Sequence, residues 1–163
     1  LWKKLVTEFG PNRNDQIVYP KVFRANAFMG NYMRMDLLSC YGLPRQMLAE
    51  VQDYFYPMAE KTGTLWENML ATNSCNHGFA SYIGHVLYRD TLGINAIDYL
   101  NKEITIQFNE IDLESCNGSI PIGKEKIELQ WQRSEDRIRY SLKVPKSYKI
   151  KIKNLTSAKL EPI

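Results

Sequence analysis

The chain has 163 residues, a mass of 19.0 kDa and a formal net charge of +3, with 44% hydrophobic and 24% charged residues. This length allows one ordinary domain or two small ones, and the composition excludes a disordered, collagen-like or low-complexity protein. No apolar stretch approaches the roughly 18 residues that a transmembrane helix requires, so we expect no membrane span.

Charge and composition differ between the two parts of the chain. Residues 1–100 carry nine Lys or Arg against nine Asp or Glu, whereas residues 101–163 carry twelve against nine. This difference predicts a domain boundary near Asn101. The basic excess is small and dispersed, so we expect no nucleic-acid partner. Its densest part, Lys149, Lys151 and Lys153, alternates with isoleucines as on a solvated strand.

Neither the cysteines nor the histidines have the spacing of a metal site. The three Cys are widely separated and form no CxxC pair. His77 and His85 lie eight residues apart, too far for two ligands on one turn of a helix. The GxSxG, P-loop and dinucleotide motifs are also absent. We therefore expect no metal and no cofactor.

Helical spacing dominates the first hundred residues. Residues 1–9 are typical of the end of a helix that stops at Gly10. Apolar residues recur at helical spacing over 24–41 and again over 44–58, and a short Gly-Leu-Pro turn would join these helices into a hairpin that ends near Pro57. A third helix is predicted over 77–91, stopped by Gly93, with the buried residues Phe79, Ile83, Val86 and Leu87.

After Glu103 the apolar period changes from 3.6 to two. Short strands are predicted around residues 104–108, 111–113, 120–122, 127–131, 138–144 and 150–152, with turns at Asn117-Gly118 and at 134–137. One apolar face on each strand predicts an antiparallel β-sandwich without parallel pairing. No cluster of candidate catalytic residues lies in this part, so its expected role is to pack against the helical part.

The loop between the second and third predicted helices holds the candidate site. Glu67 follows Trp66 in a Thr- and Gly-rich stretch, where a carboxylate has no helical role, and loops on a rigid frame often carry function. From the residues alone, Glu67 is equally well explained as a surface Glu beside a core Trp. His77 is equally well explained as a helix cap or as a structural histidine with satisfied hydrogen bonds.

Several ordered motifs around this loop resemble bacterial alpha-L-rhamnosidases, a glycoside hydrolase family. These motifs are Thr62-Gly-Thr-Leu-Trp-Glu67, Ser74-Cys-Asn-His77-Gly78-Phe79 and Leu92-Gly93-Ile94. Downstream, the stretch from Cys116 to Lys124, Glu128-Leu-Gln-Trp131 and Val144-Pro145 look like the β-domain that follows the catalytic barrel in that family. The resemblance spans roughly residues 24–153.

The resemblance implies a fold and a reaction. Residues 1–100 would be the last helices of an (α/α)6 barrel, and residues 101–163 a small antiparallel β-sandwich domain, an α+β chain in two parts. The parent protein would hydrolyse terminal alpha-L-rhamnosyl residues from glycosides or polysaccharides with inversion. Glu67 matches the general base of the family, and Trp66 and His77 match positions that line the sugar pocket.

The same resemblance implies that this chain is incomplete. Inverting hydrolysis needs a second carboxyl group about 6.5–9.5 Å from the first. The general acid of the family lies in an upstream acidic segment, whereas Asp36, Asp53 and Glu60 here lie on amphipathic helices. We therefore expect a C-terminal fragment, inactive alone, that needs the N-terminal part of its own chain as a partner.

A second hypothesis is a non-catalytic carbohydrate-binding or structural module that uses the same aromatic cleft. The sequence does not settle the location of the parent protein, for which the periplasm or the cell exterior is the expectation.

Overall fold

The computed structural model describes residues 2–10, 19–22 and 28–163. Its fold is α+β, a helical part followed by two small, mostly antiparallel sheets. The helices are α1 Trp2–Glu8, α2 Phe28–Cys40, α3 Pro44–Thr62 and α4 Tyr82–Val86; a 3₁₀ turn, Gly78–Ser81, precedes α4 and a π-helical segment, Leu87–Leu92, follows it. The strands are β1 Ile94–Asp98, β2 Glu103–Phe108, β3 Ser115–Ile122, β4 Glu125–Ser134, β5 Arg137–Lys143, β6 Lys149–Asn154 and β7 Lys159–Pro162.

The chain divides into two compact units, Leu1–Gly84 and His85–Ile163. The division predicted near Asn101 concerns the domains of a parent protein, and it stays a prediction. So does the assignment of the helices to a barrel. Among the described residues, no helix is long and apolar enough to cross a membrane.

Helix α3 is longer than the sequence predicts. It begins with Pro44 in its first turn, as expected, but it continues through Pro57 to Thr62. Tyr54 and Met58 on either side of the proline are each 1% exposed, so core packing stabilises the helix across it. Gly63 then ends the helix in the left-handed conformation, with φ of 67°, and its N–H donates to the carbonyl oxygen of Ala59.

A buried ion pair connects α2 and α3. The guanidinium of Arg34 binds both carboxylate oxygens of Glu50, with distances of 2.5 and 2.8 Å. Arg34 also donates to the carbonyl oxygens of Leu5 and Val6, at the end of α1. One side chain therefore holds three helices together.

The third predicted helix is irregular. Ile83 and Val86 are buried as predicted, but Phe79 is 76% exposed and Leu87 is 37% exposed, so their predicted burial is wrong. A 3₁₀ turn has three residues per turn, which moves Phe79 off the apolar stripe that a continuous α-helix would form. Gly93 ends the helical segment with φ of 103°, as predicted.

The strands form a three-stranded sheet, β1-β2-β6, and a four-stranded sheet, β3-β4-β5-β7. Three pairings are antiparallel, but β2 with β6 and β5 with β7 are parallel, so the prediction of no parallel pairing is wrong. After β5 the chain crosses to the other sheet, forms β6 and returns for β7. A strand that returns in this way can run parallel to its neighbour.

The predicted turns have different outcomes. Ser134 pairs with Arg137 across the β4–β5 hairpin, so the turn over 134–137 is confirmed. Asn117 and Gly118 instead lie within β3, and the chain reverses after β3 at Gly123, with φ of 64°. A Cβ atom on Gly118 would lie 2.8 Å from the end of the Leu92 side chain, so glycine at this position allows close packing and does not form a turn.

Strand assignments also differ at three places. No strand forms over 111–113, and β1 and β7 were not predicted. The described strands nevertheless cover the other five predicted segments, and Ile104, Ile106, Ile127 and Leu129 form the core of this unit, each no more than 1% exposed.

Candidate functional site

The loop between α3 and the 3₁₀ turn is folded back on itself. The backbone N–H of Glu67 donates to the carbonyl oxygen of Ser74 at 2.8 Å, and that of His77 donates to the carbonyl oxygen of Leu65 at 2.7 Å. At the tip, the backbone N–H of Leu70 donates to Asn68 Oδ1 at 2.9 Å. These bonds bring the Trp66-Glu67 segment beside the segment that ends at His77.

Glu67 is half-buried, and both polar atoms of its backbone are hydrogen-bonded. Its N–H donates to Ser74, and its carbonyl oxygen accepts a hydrogen bond of 3.1 Å from the N–H of Phe28. Its side-chain Oε2 accepts a longer hydrogen bond, of 3.4 Å, from the backbone N–H of Ser74. No Lys or Arg among the described residues forms an ion pair with it. A partly exposed carboxylate of this kind retains the acceptor capacity needed to take a proton from water.

The side chain of Trp66 points from the loop into the helical core. Its side chain is 3% exposed and packs with Tyr54 and Met58. Its Nε1 donates to Thr62 Oγ1 at 2.7 Å. The role of Trp66 in lining a sugar pocket stays a prediction, but this burial favours support of the loop over direct stacking on a ligand.

His77 is half-buried among aromatic rings. Its ring centroid lies 4.5 Å from that of Phe28 and 5.8 Å from that of Phe79. It precedes the 3₁₀ turn but makes no side-chain capping bond, so capping does not explain it. Its Nε2 is buried and has no hydrogen-bond partner among the described residues, an unfavourable arrangement that a partner outside them would relieve.

Sequence reasoning missed an exposed aromatic surface beside His77. The Phe79 ring is 76% exposed and stacks on Phe28, with centroids 6.0 Å apart and ring planes 16° apart. The aromatic residue two positions after His77 was visible in the sequence, but helical periodicity assigned it to the core. An exposed apolar ring is the kind of surface that the C–H groups of a sugar contact.

The three other acids considered have different environments. Asp36 accepts hydrogen bonds from the Tyr82 hydroxyl at 2.9 and 2.8 Å. Glu60 accepts one from Tyr56, and this raises the pKa of the Tyr56 hydroxyl. Asp53 is exposed on α3. No group of three or more His, Cys, Asp or Glu among the described residues is arranged to hold a metal ion.

No protein-family model matches this sequence, and no curated protein matches it. Among solved structures, the chain is similar to a GH78 family rhamnosidase of Bacillus sp. GL1, with a TM-score of 0.75 and 18% identity. The similarity covers 89% of this chain and 17% of that protein. At this identity the similarity shows the fold alone: the chain has a GH78-like fold and spans a small part of its structural neighbour.

Proposed function

We propose that this chain is the C-terminal part of a glycoside hydrolase of the alpha-L-rhamnosidase type. The observation that carries the proposal is the similarity to the GH78 rhamnosidase over 89% of the chain. Residues 1–100 supply the last helices of an (α/α)6 barrel, and residues 101–163 form the β-sandwich domain that follows. The substrate is a glycoside or polysaccharide with a terminal alpha-L-rhamnosyl residue.

Glu67 is the general base in this proposal. In an inverting reaction, one carboxylate removes a proton from the water that attacks the anomeric carbon, while a carboxylic acid on the other side protonates the leaving oxygen. The half-buried Glu67, without a cationic partner among the described residues, suits the first role. Its position is supported by the backbone bond from Glu67 to Ser74.

The neighbouring residues divide the binding roles. His77 binds a sugar hydroxyl through its Nδ1, because its Nε2 is buried. The exposed Phe79 ring provides an apolar face. Trp66 precedes Glu67 and holds the loop in place by packing on Tyr54 and Met58 of α3.

The general acid comes from the upstream part of the parent chain. A base without an acid cannot drive both proton transfers, so residues 1–163 alone do not turn over substrate. This part of the proposal rests on the resemblance of the sequence motifs to the family.

The test measures rhamnose release from an aryl alpha-L-rhamnoside by the full-length parent protein. Glu67→Gln keeps the side-chain shape and removes the base, so kcat falls by about 10²–10⁴ with little change in KM. Azide partly restores turnover and gives the β-rhamnosyl azide. Glu60→Gln, on the exposed side of α3, is the matched control and retains activity.

A Glu67→Gln parent with unchanged kcat would remove Glu67 from the mechanism. A parent that releases no rhamnose but binds it would favour the second candidate, a non-catalytic carbohydrate-binding module. The observation that favours this second candidate is the exposed aromatic surface of Phe28 and Phe79 beside His77, which can bind a sugar without any acid partner.

A further inference from the structure

The outer face of the four-stranded sheet contains a polar groove. We call it the sheet groove; it has a volume of about 340 Å³, within the range of small-molecule sites. It lies wholly on strands β3, β4 and β5, in the unit that follows Gly84, whereas the loop that holds Glu67 belongs to the other unit. Six polar side chains line it: Asn117, Ser119, Glu128, Gln130, Ser141 and Lys143.

Strand register arranges these six side chains in two parallel rows. Gln130 pairs with Asn117 on one side and with Ser141 on the other. Glu128 pairs in the same way with Ser119 and Lys143. Neighbouring strands are about 4.8 Å apart and alternate residues about 6.8 Å apart, so the two rows cover roughly 10 by 7 Å of one face.

Gly118 and Leu129 lie between the rows and also line the groove. Leu129 is 1% exposed in the core, and a Cβ atom on its partner Gly118 would meet Leu92 on the inner side of the sheet. The centre of the groove is therefore backbone, with polar side chains around it. Such a surface can contact a flat ligand from several directions at once.

The hydrogen-bonding capacity of the groove is largely unused within the protein. The amides of Asn117 and Gln130 and the hydroxyls of Ser119 and Ser141 make no side-chain hydrogen bond to other described residues. Each amide offers two donors and an acceptor, and each hydroxyl offers one donor and two lone pairs. Adjacent hydroxyl groups on a sugar ring present the complementary pattern.

The one carboxylate in the groove is already paired with two lysines. Glu128 pairs with Lys126 and, at 3.4 Å, with Lys143. The hydrogen bonds from these two ammonium groups hold the pKa of the Glu128 carboxyl below its usual range. A phosphate or carboxylate ligand would have to compete with Glu128 for the lysines, whereas a neutral ligand would leave the ion pairs intact.

We propose that the sheet groove binds a neutral saccharide through its hydroxyl groups. A peptide or lipid would need an apolar contact surface, whereas six of the eight residues that line the groove have polar side chains. The proposal uses only the β3–β4–β5 face and does not depend on Glu67 or on rhamnosidase activity.

The test is a titration of the uniformly ¹⁵N-labelled 163-residue chain, followed by NMR, with methyl alpha-L-rhamnopyranoside, cellobiose and sodium D-glucuronate in separate samples. We expect at least one neutral saccharide to shift the amide signals of the groove residues with a millimolar Kd of about 1–10 mM. Raising NaCl to about 0.5 M leaves that Kd unchanged, because no new ion pair forms.

Gln130→Ala removes the amide at the centre of one row and weakens binding about tenfold. Gln132→Ala is the matched control, because it removes the same amide from the same face of β4, one position beyond the groove, where it pairs with Ser115 and Arg139. An unchanged backbone spectrum verifies that both variants fold.

Three results would overturn the proposal. They are no shift with either neutral saccharide up to about 50 mM, an equal loss of affinity in Gln132→Ala and Gln130→Ala, and binding of glucuronate alone that disappears in high salt. A failure here leaves the proposed hydrolase untouched, since that proposal is tested by rhamnose release and by Glu67→Gln.

Discussion

Glu67 and Ser74 contact each other twice: the Glu67 N–H donates to the Ser74 carbonyl oxygen at 2.8 Å, and the Ser74 nitrogen lies 3.4 Å from Glu67 Oε2. The first contact is between backbone atoms and does not require the carboxylate. The backbone of Glu67 is therefore fixed without its charge, and the carboxylate adds one long hydrogen bond.

This relationship predicts that Glu67→Gln leaves the stability of the chain almost unchanged. We expect a change below about 0.5 kcal/mol in the free energy of unfolding, because a partly exposed carboxylate without an ion pair contributes little. Urea denaturation followed by circular dichroism measures it. A loss of about 2 kcal/mol or more would instead identify Glu67 as a structural residue.

Trp66 should behave in the opposite way. Trp66→Ala leaves a cavity beside Tyr54 and Met58 and should cost about 3–5 kcal/mol of unfolding free energy. Trp66→Phe keeps most of the volume but loses the bond to Thr62 Oγ1, so we expect a smaller cost of about 1–2 kcal/mol. Phe79→Ala is the control, and its 76% exposure predicts a change within about 0.5 kcal/mol. Equal effects of Phe79→Ala and Trp66→Ala would contradict this placement of the two rings.

The Arg34–Glu50 pair predicts strong coupling between α2 and α3. Arg34→Met leaves the Glu50 carboxylate buried without its cation and should destabilise the chain by about 3–5 kcal/mol. The double variant Arg34→Met/Glu50→Leu should recover part of this loss, because no charge is left unpaired. A double-mutant cycle with urea denaturation measures the coupling, and strictly additive effects would disprove it.

Two glycines with positive φ provide a matched pair for a steric prediction. Gly63→Ala meets nothing within 4 Å and should cost about 1 kcal/mol, for the left-handed backbone alone. Gly93→Ala carries at least the same backbone cost, since its φ is 103° against 67° for Gly63, and its Cβ atom would also lie 2.8 Å from the carbonyl oxygen of Gln107. We expect it to be more destabilising by about 1–3 kcal/mol, a range typical of overpacking. Thermal unfolding of the two variants measures this difference. Equal midpoint temperatures would contradict the steric clash expected at Gly93.

Glu110 predicts a loss of stability in acid. Its Oε2 accepts a hydrogen bond of 2.9 Å from the Ser157 backbone N–H, and this bond, followed by those from Arg133 and the Ser157 hydroxyl, lowers the pKa of the Glu110 carboxyl. Since the folded-state pKa lies below the unfolded value of 4.5, the contribution is complete above about pH 4.5 and is lost as the pH falls through the folded-state pKa.

The measurement compares urea stability between about pH 6 and 3 for the original chain and for Glu110→Gln. The variant should be less stable at the higher pH and should lose less stability on acidification. Glu125→Gln is the control, because the Glu125 side chain is exposed and makes no hydrogen bond or ion pair to other described residues. A Glu110→Gln profile parallel to that of the original chain would show that Glu110 is not the group responsible.

Local sequence patterns predicted the helices, strands and turns better than they predicted which strands pair with each other. Helices α2 and α3 and the β4–β5 turn follow from apolar spacing and turn residues, which act over a few positions. The parallel pairing of β5 with β7 depends on a strand that leaves for the other sheet, and residue alternation carries no information about that path. The turn predicted at Gly118 is wrong for a similar reason. Glycine is favoured both in a turn and where a distant side chain, here Leu92, packs closely on the backbone, and the sequence alone does not distinguish the two cases.

The sequence predicted that the candidate site is a loop, but it did not predict which of its aromatic rings are buried and which are exposed. The order of Trp66, Glu67 and His77 in the sequence located the segment. Which ring faces the core depends on α3, which continues past its expected end near Pro57. Its Tyr54 and Met58 pack on Trp66. The exposed Phe79 was missed because its 3₁₀ turn has a different period from the helix that the sequence predicts.

The interlacing of the two sheets also affects how this protein is synthesised. Strand β2 is synthesised well before its partner β6, with Ile104 paired to Ile150. In the same way, β5 is synthesised before its partner β7, with Tyr140 paired to Pro162. Such distant contacts slow folding because a long loop must close before any pairing energy is gained. On the ribosome, the three-stranded sheet remains incomplete until β6 emerges, and the four-stranded sheet until β7 emerges. During that interval the growing chain exposes the unpaired edges of β2 and β5, which are the segments that chaperones would be expected to protect.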